Sequence, residues 1–114
     1  MKTIIAIIFA HIVNTKNKKW IKNPLYSQDQ TFKKLIRSAL QTEFGKKHEF
    51  QSIKSYEQYQ KKVPVRDYEQ LRPYIDKVVQ GEENILWPGK PLYFAKTSGT
   101  TSGAKYIPIT KDSI

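Results

Sequence analysis

The chain has no cysteine, which removes disulfides, thiolate metal sites and a cysteine nucleophile from consideration. It has two histidines, His11 and His48, too far apart in sequence to form a local ligand pair, and either reads as a surface or partly buried residue rather than a base. Acidic residues are scarce: 10 against 20 basic ones, for a formal charge of +10 over 114 residues. Arginine is scarcer still, because only Arg37, Arg66 and Arg72 break the lysine series. A lysine-dominated surface lacks the bidentate guanidinium fork that reads phosphates and base edges. The lysines are also scattered in doublets (Lys18-Lys19, Lys33-Lys34, Lys46-Lys47, Lys61-Lys62), the pattern of a solvated basic face. No nucleic acid partner is expected on these grounds.

No apolar run approaches the roughly 20 residues needed to span a bilayer. The nearest is Ile4–Phe9 after Lys2, extended by Ile12 and Val13. This stretch has the charge and length of a signal peptide, but no small-x-small cleavage site follows it before Asn14, Lys16, Lys18 and Lys19. A buried or amphipathic N-terminal helix is the simpler reading, with a cytoplasmic protein and no membrane partner as its consequence. A secreted or tethered protein rests on Ile4–Val13 alone.

What is present is a globular composition, 39% apolar, with aromatic and branched residues recurring throughout. Residues 1–81 read as helical. A first helix is expected over about Thr3–Ile21, closed by Asn23-Pro24. A second is expected to start at a Ser27/Gln30 capping box, show an apolar face of Phe32, Leu35, Ile36, Ala39, Leu40 and Phe44, and stop at Gly45 as a left-handed cap. Ser55/Gln58 and Asp67/Gln70 announce two more helices. Pro73 is expected to kink or split the last, and Gly81 to end it. Tyr56, Tyr59, Tyr68 and Tyr74 take helix-face spacings that suit packing better than base stacking.

After Gly81 the texture changes. Trp87-Pro88-Gly89 marks a turn, and Leu92–Thr97 and Lys105–Thr110 read as strands in a strand–loop–strand unit over residues 91–110. Pro108 suits an edge position, and Thr110 an N-cap for a further helix beginning at Lys111. Between the strands lies Thr97-Ser98-Gly99-Thr100-Thr101-Ser102-Gly103-Ala104-Lys105. Five hydroxyls, two glycines and an exiting lysine are the parts needed to cradle a polyphosphate by amides, hydroxyls and a cation. The spacing is not that of the G-x-x-x-x-G-K-[ST] loop, since Gly99 and Gly103 enclose three residues and Ala104 precedes Lys105. Composition alone leaves two readings open: a phosphate loop, or a structural Ser/Thr-rich turn in a basic helical module that binds nucleic acid or another anionic partner.

The run resembles the phosphate-binding motif of adenylate-forming enzymes, broadly [ST]-S-G-T-[TS]-G-x-P-K. Thr97, Ser98, Gly99, Thr100, Thr101 and Lys105 match it by position. Ser102 stands at the usual second glycine, Gly103 follows one place later, and Ala104 replaces the proline. With TEFGKKH (42–48), VPVRDYEQLRPYIDKVVQGEENILWPG (63–89) and YFAKTSGTTSGAKYIPIT (93–110), the chain resembles the opening region of the auxin-responsive acyl-acid amido synthetases. The resemblance implies an α/β fold: the N-terminal part of the adenylate-forming large domain, helices followed by a phosphate-binding hairpin, filling residues 1–114. It implies an ATP-dependent ligase that activates a small carboxylic acid and passes the acyl group to an amino acid. Thr97, Ser98, Gly99, Thr100, Thr101, Ser102, Gly103 and Lys105 would then bind the ATP phosphates, and Mg²⁺ would accompany them without an assignable ligand here. No catalytic residue is assigned. Members of that family run to several hundred residues, so this chain alone is expected to be inactive as a ligase.

Overall fold

The computed structural model describes residues 2–99 and 103–114. The chain divides into two units, Met1–Lys34 and Leu35–Ile114.

The first unit contains α1 (Lys2–Lys22) and most of α2 (Pro24–Ser38). Asn23 and Pro24 separate the two helices as expected. Helix α2, however, begins at Pro24 rather than Ser27. Pro24 loses nothing at the first helical position, and the Asn23 side chain accepts the Tyr26 amide at 3.4 Å. Ser27 is therefore inside the helix, and the Gln30 side chain bonds Asp29 instead of a backbone amide. The expectation of a buried or amphipathic α1 is corrected. Apolar side chains surround the whole first half of α1, and Ile4, Ile5, Ile7, Ile8 and Phe9 are all more than half exposed. An apolar helix with no polar stripe has no single face to turn inward.

In the second unit the expected long helix breaks. Helix α2 stops at Ser38, and a separate short helix α3 (Glu43–Lys47) follows. Thr42 makes the break. Its hydroxyl donates to the Ala39 carbonyl at 2.7 Å and accepts the Gly45 amide at 2.9 Å, ending one helix and capping the next. Gly45 is thus a buried residue within α3, not a left-handed cap. It is required there because an added Cβ would sit 2.0 Å from the Ala39 carbonyl oxygen. The other first-turn amides of α3 are also taken: Glu43 donates to the Asn84 carbonyl (2.8 Å) and Phe44 to that of Ile85 (3.0 Å).

Helix α4 (Tyr56–Lys62) is capped by Ser55, but Gln58 completes the motif on the Lys54 amide at 2.7 Å. Helix α5 (Tyr68–Val79) opens on the full Asp67/Gln70 box. Pro73 does not split α5. Gly81 ends it in the left-handed region (φ 92°), with Gly81 donating to Val78 and Glu82 to Lys77. Tyr74, Val78 and Ile85 form the core here, with Phe44, Leu71 and Leu86 packed against them.

Strands β1 (Tyr93–Thr97) and β2 (Lys105–Ile109) pair antiparallel, Tyr93 opposite Ile109 and Thr97 opposite Lys105. Pro108 lies opposite Phe94, and in a two-stranded ribbon both strands are edges, so its missing donor costs little. Lys111–Ser113 form a 3₁₀ turn in place of the expected helix, closed by reciprocal Thr110–Ser113 bonds. The described residues are thus helix-rich with one small hairpin, compatible with part of an α/β fold.

Candidate phosphate-binding site

The hairpin brings the two ends of the Ser/Thr/Gly run together. Thr97 and Lys105 face each other as its last cross-strand pair, Thr97 half-buried and Ser98 and Gly99 exposed. The Gly99 amide turns back to the Thr97 carbonyl at 3.1 Å, starting the bend at once. A Cβ on Gly99 would lie 1.8 Å from the Gly103 carbonyl oxygen, so any side chain there collides with the returning backbone. Gly103 itself has φ 79°, a conformation that costs other residues strain. Both glycines are therefore needed, one for close approach and one for its left-handed backbone. Thr100, Thr101 and Ser102 lie outside the described residues.

One tyrosine docks this hairpin on α5. Tyr68 accepts the Tyr106 amide on its hydroxyl at 2.8 Å, and the Lys105 ammonium stands 5.5 Å from its ring centroid. The Arg72 guanidinium lies 5.9 Å from the same centroid and pairs with Glu69 at 2.8 Å. On the strand itself, the Lys96 ammonium stands 5.8 Å from the Tyr106 ring. Cations near ring faces are attracted by the ring quadrupole, so these side chains are held rather than left to wander. Tyr68 gave no signal for this site in the sequence, where it reads as one of four tyrosines at helix-face spacings suited to packing.

The three sequence blocks singled out above meet in space. Block 42–48 joins block 63–89 through the Glu43 and Phe44 amides, the Lys77–Glu43 ion pair at 2.7 Å and the Phe44–Tyr74 ring contact. The Glu43 carboxylate holds the Lys77 amine above its ordinary range by direct hydrogen bonding. Block 63–89 joins block 93–110 through Tyr68, and the Trp87 indole donates to Asp112 at 3.0 Å just beyond it.

His48 is structural. It is buried, stacks on Phe44 at 4.1 Å, and places Nδ1 2.8 Å from the Phe44 carbonyl and Nε2 3.0 Å from Arg66 Nη1. Both ring nitrogens are engaged within the fold. An open depression of about 580 Å³ is lined by Leu40, Lys46, Glu49, Phe50 and Lys62 among others, and by none of the described residues of the 97–105 run. Glu49 and Lys62 form an ion pair in it. Among the described residues there is no group of three or more His, Asp or Glu placed to hold a metal, and no helix is long and apolar enough to cross a membrane.

The described residues of the run thus sit at the end of a two-stranded ribbon that Tyr68 ties to α5. The profile described as "GH3 family N-terminal domain" matches residues 15–114, and the chain belongs to the GH3 family. Three relatives from Arabidopsis thaliana illustrate the similarity. The indole-3-acetic acid-amido synthetase GH3.3 is 28% identical over 110 residues, 90% of this chain and 18% of its own length. The indole-3-acetic acid-amido synthetase GH3.15 is 40% identical over 58 residues, 49% of this chain and 10% of its own. The 4-substituted benzoates-glutamate ligase GH3.12 is 30% identical over 79 residues, 68% of this chain and 14% of its own. The chain thus spans between a tenth and a fifth of the length of these relatives. No solved structure matches it.

Proposed function

We propose that this chain supplies the phosphate-binding part of an ATP-dependent acyl-acid amido synthetase, as the N-terminal portion of the adenylate-forming large domain. In that reaction a carboxylate oxygen attacks the α-phosphorus of ATP and pyrophosphate departs. An amino acid's amine then attacks the acyl carbon, and AMP departs as the amide forms. The relatives' names support the class, since they couple an acid to an amine-bearing partner.

The observation that carries the reading is the Gly99–Gly103 closure within the family match. The run carries five hydroxyls and two glycines, with Lys105 at its exit. These donors suit a triphosphate. Ser98, Gly99, Thr100 and Thr101 would hold the β- and γ-phosphates, with Thr97, Ser102 and Gly103 completing the bend. Lys105 would offset the charge that grows on the departing pyrophosphate. Such groups act by position and electrostatics, not by proton transfer. The described residues offer no cluster of carboxylates for Mg²⁺, so no step is assigned to it.

The test is ATP–pyrophosphate exchange. In the full-length parent, Ser98→Ala combined with Thr101→Val should slow exchange by about two orders of magnitude. Unchanged exchange contradicts the reading. The 114-residue chain alone should catalyse none.

A further inference from the structure

Resting on the phosphate-binding reading above, we infer that Tyr68 is a positioning residue for Lys105, holding the lysine's charge at the exit of the loop. Two separate contacts from one side chain support this. The hydroxyl fixes the backbone of β2 one residue beyond Lys105, by accepting the Tyr106 amide at 2.8 Å. The ring engages the Lys105 ammonium itself, 5.5 Å from the centroid. Backbone and side chain of the same lysine neighbourhood are therefore set by one group on another element. Tyr68 in turn is fixed: it is the first residue of α5, directly after the Asp67/Gln70 capping box, and Arg72 one turn later stands by the same ring.

A free lysine side chain carries large rotamer entropy, which a bound anion would have to freeze. Confining the ammonium beforehand removes part of that cost, so the ring raises affinity without touching the anion. Arg72 cannot substitute for Lys105 here, because it is already paired with Glu69 at 2.8 Å.

The experiment is a double-substitution cycle on the 114-residue chain, with inorganic tripolyphosphate as the probe, titrated calorimetrically. The variants are Tyr68→Phe, Tyr68→Leu, Lys105→Met and the Tyr68→Leu/Lys105→Met pair. Tyr68→Leu should weaken binding about 3- to 10-fold on its own, the worth of ordering one long side chain, and have almost no effect once Lys105 is gone. Tyr68→Phe keeps the ring and loses the hydroxyl, so it should fall between wild type and Tyr68→Leu. The Lys105 ε-methylene proton shift adds a direct readout. It should lie upfield of its random-coil position in wild type and Tyr68→Phe, and return there in Tyr68→Leu. An equal loss from Tyr68→Leu in both backgrounds, or an unshifted Lys105 resonance in wild type, overturns the inference. If wild type fails to bind tripolyphosphate, or Lys105→Met binds it equally well, the phosphate reading itself has failed and this inference falls with it. Should Tyr68→Leu not fold, Tyr68→Phe and the wild-type shift decide the matter.

Discussion

Replacing Gly45 with alanine tests the packing of the second unit more sharply than any core truncation. The new Cβ would lie 2.0 Å from the Ala39 carbonyl oxygen, 3.0 Å from its carbon and 3.1 Å from Thr42 Oγ1. Relief requires a backbone shift of more than an ångström. That shift strikes the carbonyl which receives both the Thr42 amide and the Thr42 hydroxyl, and Thr42 in turn holds the Gly45 amide. Overpacking of this kind costs about 1–3 kcal/mol, and loss of the cap adds about 1. Alanine's better helix propensity returns up to about 1 kcal/mol. The net loss is about 2 kcal/mol, or roughly 10 °C in Tm for a unit of this size. Urea denaturation followed by circular dichroism measures it. A companion variant, Gly45→Asn, separates two geometries: asparagine is tolerated at a left-handed helix cap but is worse than alanine at a close contact. If Gly45→Ala is neutral, or Gly45→Asn is the better tolerated of the two, the break at Thr42 is wrong.

Other expectations follow from the same contacts. Thr42→Ala removes a cap and leaves the Ala39 carbonyl without its hydroxyl donor, and should cost about 1–2 kcal/mol in the same denaturation assay. Asp67→Ala breaks the capping box of α5 and should cost about 1 kcal/mol, with Asp67→Asn restoring most of it. Gly99→Ala meets the Gly103 carbonyl in an exposed bend, so it should leave the unfolding midpoint almost unmoved while weakening tripolyphosphate binding at least about tenfold by calorimetry.

Much of this structure was legible because its signals are local. The Asp67/Gln70 box, the Gly81 stop and the Pro108 edge position each depend on a few adjacent residues, and each appears where the residues place it. The second helix was misread for the opposite reason. Its apolar face runs on through Leu40 and Phe44, but a buried threonine hydroxyl and the carbonyls of residues 84 and 85 claim the next amides. Partners some 40 residues distant leave no mark on the local pattern. Pro73 does not split α5, because a proline's penalty can be absorbed where packing of Tyr74, Ile75 and Val78 holds the helix. At the candidate site the glycines and hydroxyls were plain in the sequence. Tyr68 was not, since its role depends on the hairpin folding back onto α5 across 38 positions.

On the proposed function, the bend after Thr97 grips a polyphosphate. The most direct measurement is a nitrogen–proton correlation spectrum of the 114-residue chain titrated with tripolyphosphate. Saturable shifts of the Ser98, Gly99 and Gly103 amides, absent in Ser98→Ala/Thr101→Val, are the predicted result. Shifts confined to the scattered lysine doublets, with the loop amides unmoved, would contradict it.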